Sequence, residues 1–448
     1  MDNMDLIYLN LGCGKRKLDG FINIDALPGA DMQLDLTKPM PWGQGEIAGI
    51  YCEHFIEKMT QGQAIRMLHE CRRILKPGGV IRIATPDLAQ IVADYNNRYT
   101  HPENLRLGLD WIDNPCEQLN MATHWWGNQW VYDEEELMRI GRMIGLQVKG
   151  RYKLGESPDP MFQNREHHEM SGLIVEFEKP ERRLNLEKRP LVTIAIPGYN
   201  PTYFKQALES ALAQTYSNLE ILICDDCPGK EIKKISAEYL KRDGRIRYCL
   251  NPPTIARKNY GRDNYVRCYR ESRGEFIKFL NDDDLLAPNC VERMLNSFAI
   301  ADDITLVTSK RQQIDTSGNL LQDNGATISP VTEDAIIEGL SLATRVILTG
   351  KNFIGEPTTV MFRKSDLADI HPDPMSMDGK LLIGVSDLVM WLNLAAKGNA
   401  IYLVEPLSYF RRHADQVQVA QGNAIRELAQ QGWAVIGNSW RRRGLLVT

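Results

Sequence analysis

The sequence contains 448 residues, of which 43% are apolar and 25% are charged, and its formal net charge is −5. This length predicts two or three domains, and the charge gives no reason to expect nucleic-acid binding. The nine cysteines are scattered, which indicates free thiols in a reducing compartment rather than a disulfide framework. We recognise no signal peptide and no apolar run long enough to span a membrane, so we expect a cytoplasmic protein.

The first part of the chain predicts alternating strands and helices. A capping-box sequence at 60–63 begins a helix, and the Lys-Pro-Gly-Gly run at 76–79 ends it. Short apolar segments predict strands at 7–11, 21–24, 32–34, 48–52 and 80–84. Such alternation is typical of an α/β fold with a parallel, doubly wound sheet.

A charged stretch with two prolines predicts a linker at 179–190, between a first domain at 1–178 and a second at 191–416. The alternation restarts after it, with strands at 191–196, 219–224, 245–249 and 275–280 and helices at 204–214, 231–241 and 260–272. The last segment, 417–448, predicts a helical tail. Its arginines at 441–443 fit either a packed terminal helix or a basic contact with an anionic membrane surface.

Several segments of the first domain are informative because of their order. The glycines of Gly12-Cys13-Gly14 follow a strand, as either a tight turn or a ligand-binding loop would require. The order LNLGCG, GFINID, LDL, YCEHFIEK, LHECRRILKPGG and IRIATPDL resembles that of class I S-adenosylmethionine-dependent methyltransferases, over about residues 5–178. The resemblance implies a Rossmann-like fold. It also implies a cofactor site, with Gly12 and Gly14 at the methionine portion, Asp25 at the ribose hydroxyls, Asp35 near the adenine, and Glu53 with His54 at the methyl-transfer cleft.

The first domain departs from that family in two places. Glu57-Lys58 stands where relatives commonly have Glu-His, and few residues separate Gly14 from Phe21, too few for a crossover helix. These departures favour cofactor binding over catalysis and leave open a non-catalytic scaffold. The aromatic run at 124–130 fits either stacking on a sugar or packing against the sheet.

A crowded acidic motif ends one strand of the second domain. The segment FIKFLNDDDLLAP places three aspartates, Asp282–Asp284, directly after an apolar run. Like charges at that distance raise each other's pKa, so a divalent cation or backbone donors must relieve the repulsion. The alternative is an acidic cap for the helix that begins near Asn289.

The second domain resembles glycosyltransferase family 2 over residues 190–416. The motifs are LVTIAIPGYNP, LEILICDDCPG, ARKNYGRDNYVRCYRESRGEFIKFLNDDD, NFIGEPTTVMFRK, GVSDLVMWLNLAAKG and LVEPLSYFRRH. The resemblance implies a GT-A fold and inverting transfer from a UDP-, dTDP- or GDP-sugar to a glycan or lipid-linked acceptor, with Mg²⁺ or Mn²⁺.

The same resemblance assigns roles to individual residues. Asp387 is the candidate base; the alternative is a helix-dipole carboxylate, and Ser386 replaces the family's usual glutamate. The implied metal ligands are Asp283, Asp284 and His413, with Asp282 or Asp284 acting through ribose or water. The implied nucleotide contacts are Pro197, Tyr199 and Asn200 at base and ribose, Asp225 or Asp226 at the nucleobase, and Arg257, otherwise a surface arginine, at the diphosphate.

The sequence therefore predicts a bifunctional enzyme, a methyltransferase joined to an inverting glycosyltransferase, in surface polysaccharide or glycolipid assembly. Two alternatives remain at this stage. One is a glycosyltransferase with a non-catalytic first domain, and the other is a pair of nucleotide sensors, against which the acidic motif and Asp387 argue. The sequence does not predict an oligomeric state.

Overall fold

A computed structural model describes residues 6–252, 258–325, 327–370, 373–414, 416 and 422–446. The chain divides into two compact units. Unit 1 is Met1–Arg182 with Arg442–Leu445, and unit 2 is Arg183–Arg441 with Leu446–Thr448. The division after Arg182 falls inside the predicted linker at 179–190. The predicted tail contains a helix, Gly422–Arg442, in the part of the chain that the structure describes.

The described strands of unit 1 form one seven-stranded sheet in the order β3-β2-β1-β4-β5-β7-β6. Neighbours from β3 to β5 are parallel, whereas β7 is antiparallel to both β5 and β6. The elements are β1 (Tyr8–Leu11), β2 (Ile22–Asp25), β3 (Met32–Gln33), β4 (Ile47–Glu53), α1 (Gln61–Ile74), β5 (Leu75–Thr85), α2 (Leu88–Asn97), α3 (Glu103–Arg106), α4 (Pro115–Asn120), α5 (Glu134–Met143), β6 (Gln147–Arg151) and β7 (Leu173–Glu178).

The capping box predicted at 60–63 forms at the start of α1. Thr60 accepts a hydrogen bond from the Gln63 backbone N–H, and the Gln63 side chain accepts one from the Thr60 backbone N–H, which completes the predicted capping box of α1. The run at 76–79 does not lie between helix and strand, however, because β5 begins at Leu75 directly after α1.

The two faces of this sheet are covered differently. Helices pack on one face, where the Gly141 backbone of α5 lies against the Phe177 ring of β7. The opposite face carries aromatic and charged side chains. Loop residues such as Phe162 pack on its aromatic part, and Arg82 forms ion pairs of 2.6 Å with Glu166 and 2.7 Å with Glu176.

The prediction of a parallel, doubly wound sheet is thus confirmed for the five parallel strands from β3 to β5 of unit 1, but not for the antiparallel β7 or for the face that loops cover. Residues 12–46 are all described, and the connections between the first four strands contain no helix. The ten residues between β1 and β2 are too few for one, as the short spacing after Gly14 indicates. Rings fill the space instead, since Tyr8, Phe21, Tyr51 and Phe162 have centroids 5.6 to 6.5 Å apart in successive contacts.

The described strands of unit 2 form a mixed nine-stranded sheet in the order β10-β9-β8-β11-β15-β13-β18-β12, with β14 beside β18, and a separate two-stranded ribbon of β16 and β17. The strands are β8 (Val192–Gly198), β9 (Leu219–Asp225), β10 (Ile246–Leu250), β11 (Phe276–Phe279), β12 (Leu285–Leu286), β13 (Ile304–Ile314), β14 (Ala335–Ile337), β15 (Val360–Arg363), β16 (Ser376–Met377), β17 (Lys380–Leu381) and β18 (Asn399–Arg411). The helices are α6 (Pro201–Leu212), α7 (Glu231–Leu240), α8 (Arg262–Glu271), α9 (Cys290–Ser297), α10 (Gly339–Thr349), α11 (Ser386–Ala395) and α12 (Gly422–Arg442).

Helices cover both faces of the large sheet of unit 2. Side chains of α6, α7 and α9, such as Phe204, Ile232 and Met294, pack on one face. On the other face Tyr265 of α8 and Trp391 of α11 contact the sheet through Phe279 and Phe362. The strands β10, β9, β8 and β11 are parallel, and so are β13 and β18, but β15 between these two groups is antiparallel to both β11 and β13. The two-layer covering thus agrees with the predicted α/β class, whereas the fully parallel sheet does not.

Within the described residues, no helix has both the length and the apolar character that crossing a bilayer requires.

We predict that the ring cluster is the main support of the loop-covered face of unit 1. Phe162→Ala should destabilise this unit by about 3–5 kcal/mol because it removes a fully buried ring, and Phe162→Leu should cost about 1 kcal/mol. Amide hydrogen exchange of β1 and β4 measures this locally. The exposed Leu154 provides a control, since Leu154→Ala should change stability by less than about 0.5 kcal/mol. Equal protection of β1 and β4 in Phe162→Ala and the wild type would contradict the prediction.

Candidate active site

The candidate active site of unit 2 lies where the strand order of its sheet reverses. The chain passes from β8 to β9 on one side, and β11 pairs with β8 on the other. In open α/β sheets ligands bind at this point, outside the carboxyl ends of the strands. The loops that follow β8, β9 and β11 border a cleft of about 630 Å³.

Most of the predicted site residues of unit 2 border this cleft. They are Pro197, Tyr199, Asn200, Asp226, Asp282, Asp283, Asp387 and His413. Two predicted residues, Asp225 and Asp284, are buried and do not line it. Arg257 lies outside the described residues.

Asp282 fixes the loop that follows β8. Its carboxylate accepts hydrogen bonds from the backbone N–H groups of Tyr199, at 2.5 Å, and Asn200, at 2.6 Å. The Asn200 side chain in turn caps α6 by accepting from the Thr202 backbone at 3.0 Å. Burial, together with the charge of Asp283, raises the pKa of Asp282 to about 7. Asp282 therefore shapes the wall that carries the exposed ring of Tyr199.

Asp284 was predicted as a metal ligand, but its carboxyl group is surrounded by hydrogen-bond donors of the protein. Its carboxyl group is fully buried and accepts from the Arg411 backbone at 3.0 Å, the Thr358 hydroxyl at 2.6 Å and the Asn281 amide at 3.1 Å. These three bonds join the acidic loop to β18 and to the turn before β15. Burial, together with the charge of Asp283, raises the pKa of Asp284 well above its usual value.

The asparagine that precedes the three aspartates has a clear structural role. Asn281 donates its side-chain N–H to Asp284 at 3.1 Å and accepts from the Tyr265 hydroxyl at 2.7 Å. An aspartate here could not donate, and it would place a fourth carboxylate in the same volume.

Asp283 is the acid of the triplet that pairs with His413. The Asp283 carboxylate lies 2.9 Å from Nε2 of His413, and both side chains line the cleft. Nδ1 of His413 is buried and has no hydrogen-bond partner among the described residues. The buried Arg411 fixes this corner from behind, because its guanidinium donates to the Asp283 carbonyl at 2.8 Å and to the Gln206 side chain at 2.7 Å.

A carboxylate and an imidazole side by side fit a partial site for Mg²⁺ or Mn²⁺. Among the described residues no group of three His, Cys, Asp or Glu side chains is arranged to hold a metal. Two protein ligands agree with the usual Mg²⁺ site, in which substrate phosphates and water supply the other oxygens. A cation on Nε2 of His413 would place the proton of that ring on the buried Nδ1.

Asp387 lies in the first turn of α11 and lines the cleft together with Glu356. Burial raises the pKa of Asp387 to about 6, and the Glu356 charge contributes to the shift. Glu356 itself forms a 2.9 Å ion pair with Arg311. Sequence reasoning missed Glu356, although it lies within the NFIGEPTTVMFRK motif, where a charged residue stands among small and apolar ones.

The two aspartates at the end of β9 differ in access. Asp225 accepts from the Tyr248 hydroxyl at 2.5 Å and from the Cys227 backbone at 2.9 Å, which makes it part of the strand end. Asp226 borders the cleft, where Asn251 donates to it at 3.2 Å. Asp226 is therefore the better placed of the two to meet a nucleobase.

A strained turn was also missed by sequence reasoning. Asn259, Tyr260 and Gly261 have φ values of +50°, +57° and +82°, so three successive residues are in the left-handed region before α8. All three line the cleft, as does Arg262, which pairs with Asp373. Non-glycine residues adopt this backbone at an energetic cost, and such strain concentrates at ligand sites. The turn also explains why α8 begins at Arg262 rather than at 260.

The predicted cofactor residues of unit 1 also lie at the carboxyl ends of strands. Gly12 and Gly14 follow β1 with φ values of +66° and +54°; a Cβ on Gly12 would overlap the Phe55 ring, whereas the space beside Gly14 is open. Asp25 accepts from the Gly14 backbone at 2.8 Å and the Leu27 backbone at 2.9 Å.

The other two predicted cofactor residues differ from each other in access. Glu53 is bound to Arg16 at 2.8 Å and accepts from the His167 backbone at 2.7 Å. Asp35 is exposed and accepts from the Thr37 backbone at 2.9 Å. Glu53 is thus largely occupied by protein donors, whereas Asp35 remains open to solvent.

His54 and Glu57 form a second polar pair at the same edge of unit 1. Nδ1 of His54 lies 3.1 Å from the buried Glu57 carboxylate, and Nε2 lies 3.0 Å from the Ser171 hydroxyl. Lys58 donates to the Trp126 carbonyl at 3.2 Å and to the Asn128 side chain at 3.3 Å. Lys58 therefore holds the aromatic run at 124–130 in place.

Comparison with known proteins identifies part of unit 2. Residues 193–370 match the profile described as Glycosyl transferase family 2. This part of the chain is a glycosyltransferase family 2 domain. The match ends before Asp387 and His413, so residues beyond it complete the cleft of the glycosyltransferase domain.

Curated relatives align with segments of the chain. A chondroitin synthase of Escherichia coli is 35% identical over 140 residues, which are 31% of this chain and 20% of that protein. An uncharacterized protein of Mycobacterium tuberculosis (strain CDC 1551 / Oshkosh) is 25% identical over 257 residues, 53% of this chain and 72% of its own length. The chain thus spans only a fifth of the length of the chondroitin synthase.

Among solved structures, S. aureus TarS 1-349 in complex with UDP-GlcNAc is similar, with 16% identity and a TM-score of 0.40. That similarity covers 55% of this chain and 66% of the TarS chain.

We predict that Asn281→Asp destabilises the glycosyltransferase domain by about 1–3 kcal/mol at pH 8, because Asp284 loses a donor and gains a like charge. The loss should shrink towards pH 5, where the added carboxyl becomes protonated. Urea unfolding followed at both pH values measures it. Asn218→Asp is the matched control, since it removes an exposed hydrogen bond to the Arg189 carbonyl and should have little effect. Equal stability of Asn281→Asp and Asn218→Asp would refute the assigned role of Asn281.

Proposed function

We propose that unit 2 transfers a sugar from a nucleoside diphosphate sugar to a glycan or lipid-linked acceptor, with inversion, in the assembly of a polysaccharide or glycolipid. The observation that carries the proposal is the meeting of Asp283, His413 and Asp387 in one cleft at the strand ends of a glycosyltransferase family 2 domain. The similarity to a chondroitin synthase of Escherichia coli supports a role in building a polysaccharide.

Each part of a sugar nucleotide has a matching group in the cleft. The exposed ring of Tyr199 and the carboxylate of Asp226 suit a nucleoside. Asp283 and His413 would hold Mg²⁺ or Mn²⁺, which when bound would neutralise the charge of the departing diphosphate. The donor is a UDP-, dTDP- or GDP-sugar.

Asp387 is the proton acceptor in the proposed reaction. The acceptor hydroxyl gives its proton to the Asp387 carboxylate as its oxygen bonds to the anomeric carbon. The bond between that carbon and the diphosphate oxygen breaks, and the nucleoside diphosphate leaves with the electron pair. A carboxylate with a pKa near 6 is a stronger base than an ordinary aspartate and is still ionised at neutral pH.

We predict that the transfer rate falls about tenfold per pH unit below pH 6, because only ionised Asp387 accepts the proton. Release of nucleoside diphosphate from UDP-GlcNAc, dTDP-glucose and GDP-mannose, with Mn²⁺ and mixed glycan acceptors, tests the proposal. Asp387→Asn should lower the rate at least about 100-fold.

Asp387→Asn also distinguishes a loss of catalysis from a loss of folding. The raised pKa means that the folded state favours protonated Asp387, so stability is lost as pH rises from about 4 to 6. Asp387→Asn should therefore be about 1–3 kcal/mol more stable than the wild type at pH 8. A variant that is both inactive and less stable would contradict the assignment, and a fully active one would exclude Asp387 as the base.

We further propose that unit 1 binds S-adenosylmethionine and methylates a sugar made or used by unit 2. The open backbone at Gly14, with Asp25 after the neighbouring strand, supports a cofactor at the point where the sheet order reverses between β1 and β4. Gly12, Gly14, Asp25, Asp35 and Glu53 would surround the cofactor, which when bound supplies the methyl group. His54, oriented by Glu57, suits the removal of a proton from the acceptor.

We predict that the full chain binds S-adenosylmethionine and that Asp25→Ala weakens this binding at least about tenfold, because the ribose hydroxyls lose their acceptor. Isothermal titration measures both. Asp19→Ala, at an exposed aspartate of the same loop region, is the control and should bind normally. The absence of binding heat in the wild type would favour a non-catalytic scaffold, the alternative for unit 1.

We also place the reaction in the cytoplasm, at the inner face of the membrane, where a lipid-linked acceptor would lie. The exposed Arg441 near the end of α12 supports this location through attraction to anionic lipids.

A further inference from the structure

Four tryptophans of unit 1 are exposed together within one short stretch of sequence. Trp111, Trp125, Trp126 and Trp130 have exposed fractions between 41% and 59%. We call this set the tryptophan face. By contrast, Trp391 and Trp440 are buried in the usual way. Large rings left in water at neighbouring positions indicate a binding surface rather than chance exposure.

Two rings of the tryptophan face contact each other. The centroids of Trp111 and Trp125 are 5.2 Å apart and their planes make an angle of 52°, so the rings are tilted rather than stacked, and both stay substantially exposed. Beneath them, Ile112 and Met121 point inward into a small apolar cluster with Leu109. That cluster fixes the backbone of both segments, which prepares the rings for a ligand without further ordering.

The tryptophan face is also attached to the polar pair of the proposed methyl-transfer site. The backbone N–H groups of Gln129 and Trp130 donate to the Glu57 carbonyl at 2.7 and 3.1 Å. The side chain of the same Glu57 binds Nδ1 of His54 at 3.1 Å. One residue thus joins the backbone of the segment that carries Trp130 to the imidazole of His54.

The chemistry around the rings selects the kind of ligand. Residues 107–130 contain no lysine or arginine but include Asp110, Asp113 and Glu117, and the amine of the nearby Lys58 already donates to the Trp126 carbonyl and the Asn128 side chain, so this segment offers anionic lipid headgroups little attraction. The polar residues His124, Asn128 and Gln129 stand among the rings of 124–130, which disfavours a continuous apolar protein partner. A pyranose has the complementary character, because its C–H groups meet the negative ring faces while its hydroxyls meet carboxylates and amides.

We propose that the tryptophan face is a saccharide-binding site that presents sugar hydroxyls to His54. This names the acceptor class of the methyl transfer proposed for unit 1 and depends on that proposal for the reaction only. Binding of a sugar by stacking needs no methyl donor, no metal and no sugar nucleotide.

The test uses the full chain and saturation-transfer difference NMR with maltotriose and chitotriose. The wild type should transfer magnetisation to the ring protons of at least one trisaccharide, and Trp111→Ala/Trp125→Ala should weaken that binding about tenfold or more. Trp125→Phe, which keeps an aromatic face, should fall between the two. Leu154→Ala, which removes an exposed apolar side chain of unit 1 outside the tryptophan face, should bind like the wild type.

Three results would overturn the proposal. One is the absence of any saccharide signal with the wild type at millimolar sugar. Another is unchanged saccharide binding by the double variant, which would place the sugar elsewhere. The third is a loss of binding to phosphatidylglycerol vesicles, rather than to sugars, on removal of the rings. Titration with S-adenosylmethionine of the same double variant separates these results from failure of the cofactor proposal, because the cofactor residues are unchanged in it.

Discussion

Three successive carboxylates can occupy the end of one strand only if each meets a different partner, because like charges at such a distance raise one another's pKa. In this protein the partners are distinct. Asp282 receives two backbone N–H groups, Asp284 is buried among three donors, and Asp283 meets His413. Two of the acids thus shape the cleft, and the third is left facing it. The cleft geometry of unit 2 depends on this division.

In unit 1 a single residue, Glu57, positions two neighbouring features through different atoms. Its side chain orients His54, and its carbonyl holds the segment that carries Trp130. Lys58 adds a second attachment through the Trp126 carbonyl. The aromatic segment and the polar pair form one local arrangement, which is why we assign them to one ligand.

Local signals in the sequence predicted most elements of the fold. The capping box at Thr60 and the apolar run before Asn281 act through neighbours in sequence, and the structure places both as expected. Strand ends marked by Asp226 and Asp283 likewise met at one edge, because parallel strands bring their carboxyl ends together. The order and direction of the strands were harder to predict from the sequence. Antiparallel β7 and β15 follow from contacts between segments far apart in the chain.

The roles within the acidic motif could not be predicted for the same reason. Adjacent residues such as Asp283 and Asp284 look equivalent in sequence, and only their distant partners His413 and Arg411 distinguish them. Likewise, no local pattern shows that Phe162 replaces the crossover helices of unit 1. The sequence also did not determine whether the tryptophan face is exposed, because tryptophans at these positions could pack in a core as well as lie on a surface.

The central claim, that Asp283 rather than Asp284 holds the cation, is tested most directly by the affinity for Mn²⁺ in the presence of UDP. Electron paramagnetic resonance of free Mn²⁺ measures it for the wild type, Asp283→Asn and Asp284→Asn. The account predicts that Asp283→Asn weakens Mn²⁺ binding at least about tenfold. It predicts that Asp284→Asn chiefly lowers stability, because it disturbs a buried network. Normal Mn²⁺ binding by Asp283→Asn, with binding lost in a folded Asp284→Asn, would contradict it.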